Sequence, residues 1–334
     1  MALLSRKTRE EERRQIKELA AEIERRRNRF RILVCLNGTD PAYAGVDLAA
    51  DIGRSNECDI ILLYVRRVDQ GLNSGGLQVR VARQNMLDWG LELPGIEYLR
   101  TGLGMLVDEG QLAEDWKTMS AHTDVFGDPL GDNKVEYRSP EGRSIVLKLK
   151  IAVDVVSGIL DQYELGPYNL IITGPPKRWR GEMSSFRDPS TVQKVAMLAP
   201  CSVLTKRDTG DREGFLICVD GSDHAIKSMQ RAAVLANHCR EKITLLSAAG
   251  EEGDLPTVKR HLGYATRVLE KRGLTVAGTL APVGDPAREI IAAGRDFKLI
   301  CVADSGKSRL KRFVAGSVAF DVMGGADASV LNVR

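Results

Sequence analysis

Short aliphatic runs alternate with amphipathic stretches along most of this chain. ILVCL at 32–36, FLICV at 215–219 and LICVA at 299–303 are continuous apolar runs, and YNLII at 168–172 is broken only by Asn169. Such runs suit parallel strands buried on both faces. Between them, apolar residues recur at helical spacing. Alternating strand and helix predicts a parallel sheet covered by helices on both sides. In the C-terminal part the pattern predicts strands at 215–219, 243–248, 275–282, 298–303 and 329–333. The helices between them are expected at 223–238, 254–272, 286–294 and 317–324.

The same order occurs twice. ILVCLNGTD at 32–40 matches FLICVDGSD at 215–223, and an Ala-rich amphipathic stretch follows each. YNLIITG at 168–174 matches FKLICVA at 297–303, and APCSVLTKR at 199–207 matches ADASVLNVR at 326–334. Three matches in one order mean two copies of one fold. The expected units are a charged helix at 1–30, a first domain at 31–208 and a second at 213–334. The first copy is longer, and its excess is placed at about 91–133, as an excursion that shields the first domain's site or covers the interface. Long excursions of this kind are usually lids, binding loops or disordered segments. KVEYRSPEGRSIVLKLK at 134–150 is expected as a hairpin turning at Pro140–Arg143. The two copies are expected to touch through strands 202–205 and 329–333, because an apolar edge strand needs covering.

Composition narrows the function. Of 334 residues 43% are hydrophobic and 28% charged, an ordinary globular balance. A net charge of +3 is too small to imply nucleic acid, and residues 1–30 alone hold ten Lys/Arg against six Asp/Glu. That segment is a solvated helix or a partner-binding one. The six cysteines show no metal-ligand spacing. No apolar run is long enough to span a membrane and no signal peptide is evident, so a cytoplasmic protein is expected. No nucleophile–base pair or paired acid motif stands out, so no catalytic residue is named.

The chemistry concentrates at 299–317, LICVADSGKSRLKRFVAGS. A strand, a glycine-containing loop with Lys307, Arg309, Lys311 and Arg312, and a helix start at Ser317 would cradle a phosphate. A Walker-type P-loop is excluded, because Cys301 stands where its first glycine is required. Gly306, Gly316 and Ser317 fall at the spacings of the nucleotide loop of the universal stress proteins, which the chain resembles; Ala303 replaces the first glycine. The resemblance implies two tandem, doubly wound, five-stranded parallel sheets of the Rossmann-like, adenine nucleotide alpha hydrolase-like class. They would be related by a pseudo-twofold axis, an intramolecular pseudo-dimer; a further homodimer is left open.

It also implies ATP, with Mg²⁺, in the second domain. Asp220 would meet the adenosine end, with Gly221 beside it and Gly284 near the third strand. Ala303, Ser305, Gly306, Lys307, Arg309, Gly316, Ser317 and Val318 would surround the phosphates. The plainer alternatives are helix capping by Asp220, Ser222 or Asp223, with Asp223 nearer the helical run than Asp220, an ordinary N-cap at Ser317 and a solvated cationic loop. The first copy departs from the pattern: Asn37 replaces the acid, Lys177 the second glycine and Pro189 the last one before Ser190. Proline offers no N–H to a phosphate. The expected function is a nucleotide-linked stress regulator rather than a fast enzyme. A slow ATPase or self-phosphorylating enzyme, and a nucleotide-free scaffold, are the alternatives.

Overall fold

The structure, a computed structural model, describes residues 24, 29–55, 58–67, 94–125, 128–162, 165–175, 190–304 and 317–334. The helix expected at 1–30 lies outside them, apart from Glu24 and the last two residues. The first half contains β1 (Phe30–Cys35), α1 (Asp40–Ser55), β2 (Cys58–Arg67), α2 (Pro94–Asp108) and β3 (Lys117–Val125). It continues through β4 (Asp128–Arg138), β5 (Ser144–Ala152), α3 (Val155–Leu160), β6 (Leu170–Thr173), α4 (Thr191–Leu198) and β7 (Ser202–Thr205). The second half contains β8 (Phe215–Cys218), α5 (Asp223–His238), β9 (Ile243–Leu246), α6 (Leu255–Glu270) and β10 (Val276–Leu280). It ends with α7 (Pro286–Ala293), β11 (Leu299–Ala303), α8 (Val318–Gly325) and β12 (Ser329–Val333).

The described strands form one sheet in the order β10-β9-β8-β11-β12-β7-β6-β1-β2-β5-β4-β3. The five strands of the second half are all parallel. Read outward from the centre, β7-β6-β1-β2-β5 repeats that parallel order in the first half. Two antiparallel strands, β4 and β3, then extend its far edge. The apolar runs are buried on both sides, which is why they lack polar alternation. One core lies under α1, α2, α5 and α6, and the other under α3, α4, α7 and α8.

The halves join through β7 and β12, which pair antiparallel with Leu204 opposite Leu331. A local twofold runs through that pair, and side chains obey it. Arg207 donates from its backbone to Ser329 Oγ (3.0 Å). Its guanidinium reaches the carbonyls of Ala328 (3.1 Å) and Met323 (2.5 Å). Arg334 donates from its backbone to Ser202 Oγ (3.1 Å) and from its guanidinium to the carbonyls of Ala196 (2.7 Å) and Met197 (3.1 Å). Each arginine thus crosses to the other half and reaches at least one carbonyl at the end of a helix, where a cation is favoured.

The hairpin at 134–150 is present as β4–β5, closed by bonds between Ser139 and Arg143 and from Gly142 to Ser139. The expected excursion at 91–133 divides into two parts. Its helix α2 buries Leu99 and Leu106 against α1, β2 and β5, just as α6 packs on α5, β9 and β10. Its strand β3 lies at the outer edge of the sheet, six strands from β7, so it does not cover the interface between the halves.

Candidate functional site

A cleft of about 350 Å³ opens at the carboxyl ends of β8 and β11. That is where open α/β sheets bind ligands. Its walls are largely apolar: Val219, Leu246, Val258, Ile290 and Val302. Asp220, Ser247, Asp254, Thr257 and His261 supply the polar groups. The turn after β8 puts Asp220 at the rim. Its Oδ1 accepts from the N–H (2.9 Å) and hydroxyl (2.6 Å) of Ser222, an Asx turn that fixes the carboxylate. Ser222, not Asp220, caps α5, accepting from the Ala225 N–H. Gly221 has φ +83°, and a Cβ there would stand 2.5 Å from the His261 ring. Only glycine fits both the left-handed backbone and the histidine above it.

Of the residues expected from sequence, Asp220, Ala303 and Val318 line the cleft. Gly221 sits beside it under His261. Gly284 lies just outside, where its N–H donates to the Ala249 carbonyl (2.8 Å) and so ties the turn before α7 to the end of β9. Ser317 caps α8, accepting from the Phe320 N–H (3.3 Å), and faces a smaller pocket with Asp304 and Arg334. Ser305, Gly306, Lys307, Arg309 and Gly316, with Lys311 and Arg312, lie outside the described residues.

At the equivalent place in the first half the register brings in larger side chains. Leu63 pairs with Cys35 as Leu246 pairs with Cys218. The next four residues are Tyr64-Val65-Arg66-Arg67 in the first half and Ser247-Ala248-Ala249-Gly250 in the second. Tyr64 meets Tyr98 of α2 edge to face, with ring centres 5.7 Å apart. Tyr98 also lies where a Cβ on Gly38 would come, at 2.4 Å. The turn itself is the same: Asn37 Oδ1 accepts from the N–H (3.2 Å) and hydroxyl (2.6 Å) of Thr39. The two halves therefore share a rim and differ in the side chains that follow the paired leucine of the second strand.

The cysteines at both rims are held as thiols. Burial pushes Cys218 and Cys35 up to about 12 and Cys301 well above its ordinary value, so none is a thiolate near neutrality. Among the described residues no group of His, Cys, Asp and Glu could hold a metal ion. No helix among them is long and apolar enough to cross a membrane.

Sequence reasoning missed the wall from Ser247 to Gly250 and the polar face of Asp254, Thr257 and His261. The wall carried a usable signal, because the repeat can be extended from the first strand to the second.

Residues 213–334 match the universal stress protein family. The second half carries a match to the universal stress protein domain. The fold of the whole chain is similar to two solved structures. A universal stress protein from Archaeoglobus fulgidus aligns over 91% of this chain and 96% of its own, at 13% identity and TM-score 0.56. A candidate universal stress protein from Pseudomonas aeruginosa aligns over 92% and 94%, at 13% identity and TM-score 0.56. These likenesses establish the fold, including an N-terminal half of similar architecture to the universal stress domain. A universal stress protein from Archaeoglobus fulgidus solved with dAMP covers 36% of this chain, at 23% identity and TM-score 0.31, too low for any argument about ligand. No curated protein matches the chain in sequence.

Proposed function

We propose that the chain binds one adenine nucleotide, ATP with Mg²⁺, in the cleft of its second half and acts as a nucleotide-linked regulator of the stress response. The observation that carries this reading is the contrast at the second strand. Small residues Ser247–Gly250 leave a cleft of about 350 Å³, whereas Tyr64–Arg67 occupy the same positions in the first half. A volume of this size lies at the lower end of small-molecule sites, roughly 300–1,000 Å³. Val219, Leu246, Val258 and Val302 offer apolar walls to a planar base. Asp220 and Thr257 offer an acceptor and a hydroxyl to the base amine or ribose.

The polyphosphate extends toward the sequence from Ser305 to Ser317. There Gly306 and Gly316 allow close approach, and Lys307 and Arg309 supply charge. The described end of that stretch, the α8 start at Ser317, presents the N-terminus of a helix to an anion. Asn37, Tyr64 and Pro189 set the first half outside this role, leaving it to complete the interface. Mass spectrometry of ligand released from the purified protein tests the reading. Adenine nucleotide at about one per chain is expected; an unrelated ligand, or no binding of added ATP, would overturn it.

A further inference from the structure

Arg334 links the first half of the molecule to Asp304, the residue that follows the cleft-lining Ala303 in the second. Its Nε lies 2.9 Å from Asp304 Oδ2, and the two side chains are 10% and 11% exposed. The same guanidinium holds the Ala196 and Met197 carbonyls of α4, in the other half. Asp304 follows Ala303, which lines the cleft, and its own N–H is fixed to the Val333 carbonyl at 3.0 Å. Helix α4 also touches the helix that begins at Ser317: Gln193 donates to the Phe320 carbonyl at 3.4 Å. Asp304, Ser317, Gln193, Ala196 and Arg334 share one small pocket.

The local twofold shows that this link differs from its counterpart in the other half. Arg207 is the counterpart of Arg334 and makes the matching bond to a helix-end carbonyl, that of Met323. The counterpart of Asp304 is Pro175, which carries no charge. The acid is confined to the half with the open cleft. A largely buried carboxylate is costly unless it is paired. Beside a polyphosphate it would also repel the ligand through several ångströms of poorly screening protein. The Arg334 guanidinium answers both.

We propose that Arg334 is a positioning residue for the nucleotide. By holding and neutralising Asp304 it couples nucleotide affinity in the second half to the docking of α4 from the first. This rests on the nucleotide reading above. Coupling is reciprocal, so bound nucleotide must in turn tighten α4.

The test is calorimetric titration of the full chain with MgATP, for wild type, Arg334→Ala, Arg207→Ala and Asp304→Asn, with hydrogen exchange at α4 read with and without ATP. Arg334→Ala should weaken ATP by about tenfold, within the usual range of coupling. Arg207→Ala should change it less than twofold, although both variants lower the urea midpoint. ATP should slow exchange in α4 of the wild type but not of Asp304→Asn, which keeps the protein readable if Arg334→Ala does not fold. Equal effects of the two arginine variants on ATP, or protection of α4 that survives Asp304→Asn, would overturn the coupling while leaving the site intact. Failure of the wild type itself to bind ATP would remove the nucleotide reading and this inference together.

Discussion

Tyr64 and Ser247 occupy one register position in two copies of a fold, each directly after the leucine that pairs with the cysteine of the first strand. One is a tyrosine whose ring meets Tyr98 of α2, and the other is a serine that lines the open cleft. Replacing Ser247 by Tyr should therefore close the cleft in the second half. ATP binding should be lost, while the melting temperature stays near that of the wild type if the ring finds the space Tyr64 finds beside α2. Retained ATP affinity in Ser247→Tyr would mean that the ligand does not occupy this space.

Gly221 is held in place by its backbone conformation and by the ring above it. Its φ is +83°, and a Cβ added there would stand 2.5 Å from His261. Gly221→Ala should therefore cost about 1–3 kcal/mol in urea unfolding. Adding His261→Ala should recover the contact share of that loss but not the backbone share. Full recovery in the double variant would show that the left-handed turn carries no strain.

Much of this was legible in the sequence, because strands buried on both faces are written as unbroken aliphatic runs. Helix 223–238 and strand 329–333 match their expected ends, and the remaining elements of the second half differ by a few residues at fraying termini. The SVL repeat at 202–204 and 329–331 pointed to the pairing of β7 with β12, because apolar edge strands cannot stay bare. The cleft wall was not legible, since its opening comes from small side chains at a strand end, where no periodicity marks them. Helix α2 was hidden inside the extra length of the first half. Its burial of Leu99 and Leu106 identifies it as part of the core. The crossing of Arg207 and Arg334 needs the antiparallel geometry of the central pair, which the matched TKR and NVR endings do not show by themselves.

The added strands should make the first half acid-sensitive. Glu136 on β4 is nearly buried, with Arg138 at 2.8 Å, Ser144 at 3.0 Å and Lys134 at 3.2 Å. Burial pushes its carboxyl up, but those partners outweigh burial and hold it below the usual range. A depressed carboxyl contributes stability that is complete above its ordinary value, about 4.3, and is lost as pH falls through the folded value. Glu136→Gln should thus cost about 1–3 kcal/mol at pH 7. The gap to wild type should close as pH drops below about 4. A gap that stays constant from pH 7 to pH 3, followed by urea unfolding, would show that the charge of Glu136 is not what matters.

Calorimetric titration of the full chain with MgATP tests the central claim most directly, run on wild type, Asp220→Ala and Asn37→Ala. One site per chain is expected for the wild type. Asp220→Ala should weaken binding by roughly 1–3 kcal/mol, the worth of a charged hydrogen bond, and Asn37→Ala should leave affinity and stoichiometry unchanged. Two sites per chain, or equal losses in the two variants, would contradict a nucleotide held in the second half alone.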